Sequence, residues 1–376
     1  MEILFLTYFN IMKKYFFYAA LAVALTASCQ KAQKNSVEID PLDDGTPVPV
    51  MIGTNVVTAS VKAPVSSLAS TKVKVFAIDN SAKPNGEYDY LLNDVEVSVG
   101  ATESDEIKIT DKYYGESLSY SFYGYYVAGL LTTINAGTDG VASTPLTITG
   151  QEDILLAKAN PTDDINGNPR VTTTDRVYSA YSARRGVRPT LKFEHQLTCL
   201  EFVLQAGESD ATDVTVDKMT FTAKTDMNLT ITGSGQGLSL ADNAQDNIIT
   251  LFNAIDGGAT PVSIPTYDSS VPANNIADFG TNPKSIMIFE TNEAVKGHFF
   301  VSQSGATTSP IDRELTIPAP ADGGFKKGYK YTVTIAVYGV EPIIVNVALT
   351  PWGNGGSIII DSDADDYQNP TWTPGA

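Results

Sequence analysis

Short runs of alternating apolar and polar residues recur roughly every ten residues along the chain, and this period of two limits the fold more than any other feature. Examples are Lys72-Val73-Lys74-Val75-Phe76-Ala77-Ile78, Glu106-Ile107-Lys108-Ile109-Thr110 and Leu118-Ser119-Tyr120-Ser121-Phe122. Later come Val214-Thr215-Val216, Met219-Thr220-Phe221-Thr222, Leu229-Thr230-Ile231-Thr232 and Ile286-Met287-Ile288-Phe289. The strongest run is 329–338, followed by a second from Ile343 to Leu349. Such alternation places one set of side chains on a core and the other in water. Turn signals such as Pro84-Asn85-Gly86, Asp139-Gly140, Asp256-Gly257-Gly258 and Asp322-Gly323-Gly324 punctuate the runs. No amphipathic stretch of good helix formers extends beyond about ten residues. The pattern predicts an all-β chain of sandwich type. Its 376 residues exceed one ordinary core, so two β-sandwich domains in tandem are expected.

The natural division falls near residue 189. Arg170 is the first arginine in the chain, and Arg176, Arg184, Arg185 and Arg188 follow closely. Residues 182–189 lack periodicity and end in Pro189, which reads as a basic linker or strand edge; a patch for an acidic partner is the sharper alternative. The expected organisation is a leader over 1–28, a tether over 29–49, an N-terminal domain over 50–189 and a C-terminal domain over 190–376.

The leader follows from residues 13–29. Lys13 and Lys14 precede an apolar run from Tyr15 to Ala27, which is too short to span a bilayer and suits a signal segment. Thr26-Ala27-Ser28-Cys29 resembles a bacterial lipobox, with Leu25 one place earlier than usual. The expectation is that Cys29 is lipidated and becomes the new N-terminus; plain secretion with an unmodified cysteine is the alternative. Acyl chains bury many methylenes, each worth about 0.8 kcal/mol. Residues 30–49, with three prolines, Gly45 and several acidic residues, read as a tether.

Candidate chemistry is sparse. A formal net charge of −18 argues against nucleic acid. His195 and His298 are the only histidines; His195 lies on the Phe193 face of a strand and reads as a packed, hydrogen-bonded core residue. Cys199 sits among Leu197, Leu200 and Phe202 and reads as a small buried hydrophobe. Asp361-Ser362-Asp363-Ala364-Asp365 begins like a calcium loop, but Asp366 replaces the glycine and Trp372 the glutamate, so a solvated acidic tail is expected. Gly233-Ser234-Gly235-Gln236-Gly237 lacks the lysine of a phosphate loop. Neither a catalytic site, a metal nor a cofactor is predicted.

Three segments together resemble the fimbrillin family, the type V pilins of anaerobic Gram-negative bacteria. The first is the lipobox followed by Val48-Pro49-Val50-Met51-Ile52-Gly53-Thr54, a break containing Lys62, and Val73-Lys74-Val75-Phe76-Ala77-Ile78. The second is Phe193-Glu194-His195-Gln196-Leu197-Thr198-Cys199-Leu200-Glu201-Phe202, similar to the family's F-x-H-x-L-x-x-L-x-F segment. The third is Gly328-Tyr329-Lys330-Tyr331-Thr332-Val333, followed by Thr350-Pro351-Trp352-Gly353-Asn354-Gly355-Gly356. The resemblance implies two transthyretin-like sandwiches, export as a lipoprotein to the outer membrane, proteolytic removal of the first strand, and a groove that receives a strand from another copy or a related pilin. One departure stands out. The best-known members are cut after an arginine just beyond the first strand, whereas residues 1–169 contain none; Lys62-Ala63 occupies the comparable place.

Residues 48–61 supply Val48, Val50, Ile52, Val56, Val57 and Val61 as an apolar strand. A donated strand with about five such side chains would gain roughly 8–15 kcal/mol before ordering costs. The candidate donor is 357–376: Ile358, Ile359, Ile360, Tyr367 and Trp372 follow the glycine hinge at 353–356 and are costly to leave in water. Completion of the C-terminal sandwich by Ile358–Ile360 as an edge strand is the alternative. A second function is also open, that of a monomeric surface lipoprotein binding a host or bacterial glycan on the cluster Tyr113, Tyr114, Tyr120, Tyr123, Tyr125 and Tyr126.

Overall fold

The computed structural model describes residues 46–56, 68–81, 83–100, 106–128, 134, 136–165, 177–209, 211–306, 310–321, 323–340, 344–351, 357–359 and 371–373. Strands dominate, as the alternation predicts, and Val48–Ala376 forms one compact unit. Among the described residues no helix is long and apolar enough to cross a membrane.

The first half builds a seven-stranded sheet. Its strands are β1 (Pro49–Val56), β2 (Lys72–Asp79), β3 (Tyr90–Ser98), β4 (Glu106–Tyr113), β5 (Tyr120–Val127), β7 (Ile154–Lys158) and β8 (Thr190–His195), in the order β3-β2-β5-β7-β8-β1-β4. The end strands β3 and β4 touch, so the sheet curls around its own core. Val50, Ile52, Leu68, Val73, Val75, Phe122, Leu155, Leu191 and Phe193 fill that core. Gly124 is required there: a Cβ would lie 2.8 Å from the Phe193 ring. Between β7 and β8, α1 (Pro161–Asp164) is a single turn, and α2 (Ala180–Arg184) lays Ala180 and Ala183 on the same core.

Three strands of this sheet are covered on both faces. Phe76, Ile78, Tyr123, Tyr125, Ile154 and Leu156 point away from the first core into a second one. That core is closed by a three-stranded sheet in the order β12-β11-β6, made of β6 (Ser143–Thr147), β11 (Asp226–Thr230) and β12 (Gly237–Leu240). Burial on both faces explains the near-continuous apolar runs Val75–Ile78 and Ile154–Ala157. β6 comes from before residue 189 and pairs antiparallel with β11 from after it, from Asp226↔Thr147 to Thr230↔Ser143.

The second half is a sandwich of two sheets. One has the order β13-β10-β16-β17, built from β13 (Asp246–Asn253), β10 (Val214–Lys224), β16 (Val295–Gln303) and β17 (Ile311–Ile317), with β14 (Val262–Ile264) also on β10. The other has the order β15-β9-β18-β19, built from β15 (Ser285–Ile288), β9 (Thr198–Ala206), β18 (Tyr329–Val337) and β19 (Ile344–Pro351). Their facing side chains form the third core, where Phe202 of one sheet stacks on Phe221 of the other at 4.5 Å. β8 passes into β9 through Gln196-Leu197 alone, so one chain segment joins the seven-stranded sheet to the sandwich.

Candidate functional site

The first strand is an interior strand. β1 runs antiparallel to β4, from Pro49↔Tyr113 to Gly53↔Glu106, and parallel to β8, from Gly53↔Thr190 to Val56↔Phe193. The Gly53 amide donates to the Pro189 carbonyl at 3.0 Å, and the Tyr114 amide donates to the Val48 carbonyl at 3.0 Å. A left-handed residue in β4, Asp111 at φ 57°, accompanies the register shift opposite Pro49–Met51. Val50 and Ile52 are fully buried, and Val48 packs against them part-buried. Two such side chains are worth about 3–6 kcal/mol. Without β1 both β4 and β8 would present bare backbone edges over an open core.

The body beyond the strand is anchored separately. Leu68 is fully buried in the first core. The Thr71 amide donates to the Leu68 carbonyl at 2.9 Å, and the Ser70 amide to the Gly100 carbonyl at 2.9 Å. Ser70 takes the left-handed conformation, φ 59°, that this tight turn needs. Cys29, Val57, Val61, Lys62 and Ala63 lie outside the described residues.

The C-terminal end is held differently. β19 forms a hairpin with β18, from Tyr329↔Pro351 to Ala336↔Ile344, and is the outermost strand of its sheet. β20 (Ser357–Ile359) pairs with β21 (Thr371–Thr373) in a two-stranded sheet of their own, with Ile358 opposite Trp372. Among the described residues β20 is therefore not an added edge strand of the sandwich. Ile360 and Tyr367 lie outside the described residues.

The tyrosine cluster is mostly interior. Tyr114, Tyr120, Tyr123 and Tyr125 are buried, Tyr126 is half-buried, and only Tyr113 is exposed. Burial raises the Tyr125 pKa, and its hydroxyl donates to Asp94 Oδ1 at 2.7 Å. These rings are core and do not form an open platform.

The titratable groups are likewise structural. His195 Nδ1 lies 3.0 Å from Asp153 in the buried seam between β7 and β8, as the sequence reading expects of a packed histidine. His298 pairs with Asp312 at 3.0 Å on the exposed face of β16–β17, in the other half. Cys199 is buried; desolvation, with Glu201 adding to it, pushes its thiol far above the usual range. The arginine-rich segment begins inside α2, and residues 185–189 then lead without regular structure to the edge of β8. Ser179 caps α2 through a reciprocal box with Ser182, and the Arg188 guanidinium donates to the Ala183 carbonyl in its last turn and to the Val187 carbonyl beyond it. The Ser179-x-x-Ser182 spacing was the available signal for this helix.

Two features had no clear signal in the sequence. Lys330, 1% exposed, donates to Glu201 Oε2 at 2.7 Å, and Lys284 reaches the other oxygen at 3.0 Å. Burial alone would raise the Glu201 pKa; the two lysines outweigh it and hold the carboxyl below the usual range. The other is β6, whose Pro145 reads as non-strand until β6 is seen to be an edge.

Residues 62–352 match the family described as Fimbrillin-like. Similar solved structures include a candidate cell adhesion protein from Bacteroides uniformis ATCC 8492, at 13% identity over 82% of this chain and 99% of that one, with a TM-score of 0.48. A second candidate cell adhesion protein, from Bacteroides ovatus ATCC 8483, is 13% identical over 81% and 96% of the two chains, with a TM-score of 0.49. A fimbrial protein from Bacteroides vulgatus ATCC 8482 is 15% identical over 80% and 99%, with a TM-score of 0.44. No curated protein matches the chain. Covering well over half of the 376 residues, the family match shows that the chain belongs to the fimbrillin-like family, a family of pilus or adhesin subunits of the cell surface.

Proposed function

We propose that the chain is a structural and adhesive subunit of a surface pilus, exported as a lipoprotein through Cys29 and anchored in the outer membrane as a precursor. Cleavage at Lys62–Ala63 releases β1, and the vacated slot takes a strand from another copy or a related pilin. The observation that carries this reading is the way β1 is held. It is an interior strand with a buried apolar face, yet it is the first strand described, and the body after it has its own anchor at Leu68. Loss of such a strand leaves a slot that only another strand fills well. Residues 357–376 supply the donor, because β20 pairs with β21 and with no strand of the sandwich among the described residues. The burial of the tyrosine cluster weighs against the monomeric glycan-binding reading.

The test is N-terminal sequencing and mass spectrometry of surface-extracted protein before and after mild protease treatment. A mature subunit starting at Ala63 or within a few residues of it, in SDS-resistant ladders, is the expected result. Assembled material that retains Val48–Val61 overturns the strand-exchange mechanism. A Cys29→Ser variant that still takes up palmitate overturns lipidation.

A further inference from the structure

A cleft of about 270 Å³ opens in the second half, where strands from three sheets end together. Its floor includes Leu240 and Phe289, both half-buried at the margin of the second core. Lys224, Asp246 and Lys296, from the neighbouring strands β10, β13 and β16, line it together with Glu290 and Glu293 from the turn before β16. The lining is fixed by hydrogen bonds. The Lys224 ammonium donates to the Ala244 carbonyl at 3.1 Å and lies 3.5 Å from Asp246. In the turn, Thr291 and Phe325 exchange backbone hydrogen bonds at 3.0 and 2.7 Å, and the Glu293 amide donates to the Thr291 hydroxyl at 3.1 Å. Gly324 permits that exchange: at φ 76° it comes so close that a Cβ would sit 2.4 Å from the Thr291 carbonyl oxygen. The cleft is therefore preformed and does not depend on closure of a loop.

The lining selects a chemistry. Three carboxylates against two ammoniums, with no arginine, disfavour phosphates and nucleotides. Among the described residues no three possible metal ligands cluster, so a lone cation has no cage. A purely apolar ligand would desolvate the charged rim without returning hydrogen bonds. A ligand with one C–H face and a ring of hydroxyls meets both demands. Its apolar face covers Phe289 and Leu240, its hydroxyls donate to the carboxylates, and they accept from Lys224 and Lys296. The volume lies just below the usual range for drug-sized ligands, which fits one ring.

We propose that this cleft binds a single hexopyranose residue of a carbohydrate, with Asp246 and Glu293 as the main hydroxyl acceptors. The site is separate from the β1 slot and does not require strand exchange, so it is tested on the unassembled full chain. The experiment is saturation-transfer NMR with methyl β-galactoside, methyl α-mannoside and N-acetylglucosamine, together with methyl NMR of Leu240. At least one sugar should receive saturation at its ring C–H protons and shift the Leu240 methyls, with a dissociation constant on the order of 1 mM for a ligand this small. Asp246→Asn and Glu293→Gln, both at exposed positions, should each weaken binding roughly tenfold with the melting temperature unchanged. Absence of transfer to all three sugars overturns the proposal. So does transfer that persists undiminished in the double variant, because the sugar then binds elsewhere.

Discussion

The two ends of the described chain are held in opposite ways. β1 lies between two neighbours, buries Val50 and Ile52, and connects the seven-stranded sheet to itself across β8 and β4. β20 forms a ladder only with β21, through three residue pairs, and otherwise lies beside β19 without pairing to it. A two-stranded ladder of that length is marginal in water, whereas an interior strand shares the stability of its sheet. The contrast bears on the proposed exchange. Under that proposal β1 is held too firmly to leave unaided, so a cut would be needed, whereas the tail, held by a short ladder, could be given away without one.

The largest expected effect follows directly. Deletion of residues 46–61 with no donor present should cost about 5 kcal/mol or more, combining the apolar burial with the lost ladders, and should lower the melting temperature by roughly 10 °C. Adding a synthetic peptide of residues 357–376 should restore most of the loss, read by calorimetry. A deletion variant as stable as the full chain would break the contrast, since β1 would then be dispensable.

Next comes the buried ion pair that joins β18 to β9 within the C-terminal sandwich. Lys330 lies on β18, opposite Thr350 of β19, and Glu201 lies on β9. Glu201→Gln leaves the Lys330 ammonium buried without its counter-charge and should cost about 3–5 kcal/mol. The pH dependence has a definite sign. The folded pKa of Glu201 lies below its ordinary value of 4.5, so its contribution is complete above that pH and fades as the pH falls through the lower folded value. Denaturation midpoints measured from pH 6 downward should show an acid loss beginning below about pH 4.5 that is missing in the variant. Equal acid sensitivity in both proteins would remove Glu201 as its source.

A smaller effect tests the first core alone. Gly124→Ala sets a Cβ against the Phe193 ring and should cost about 1–3 kcal/mol by overpacking, with an unchanged m-value in urea. Because Phe193 pairs with Val56 across β8 and β1, the variant should also loosen β1 and speed hydrogen exchange at its amides relative to those of β18. Uniform acceleration along both strands would show that the two ends do not open independently.

Much of this architecture is legible in the residues. Alternation marks β16 and most of β18 because each has one well-buried and one wetter face, and the apolar residues at 48, 50 and 52 mark β1. The neighbours of that strand are not legible, because pairing of Gly53 with Thr190 is a long-range contact that no local pattern records. β5 misleads for a different reason. With Phe122 in one core and Tyr123 and Tyr125 in another, its tyrosines look like a half-exposed surface until the β12-β11-β6 sheet covers them. The lysine of the buried pair also reads as a surface residue, since Lys330 sits at a polar position of an alternating strand and is interior only because Glu201 answers it from β9.

The smallest effect on stability carries the largest consequence for assembly. Truncation at residue 356 removes β20 and β21, whose described ladder joins them only to each other. The sheet β15-β9-β18-β19 keeps all its pairings, and so does the buried Lys330–Glu201 pair. The truncated protein should therefore melt within about 2 °C of the full chain, in line with a change of about 1 kcal/mol or less. If 357–376 is the donor, the same protein should be secreted and processed yet form no SDS-resistant ladder. Its empty slot should still accept a full-length neighbour's tail, so mixing it with intact subunits should cap and shorten polymers. A drop in melting temperature comparable to that of the β1 deletion would mean the tail belongs to its own sandwich, and the contrast between the two ends would fail. Normal ladders from the truncated protein alone would move the donor to another segment while leaving the slot at β1 in place.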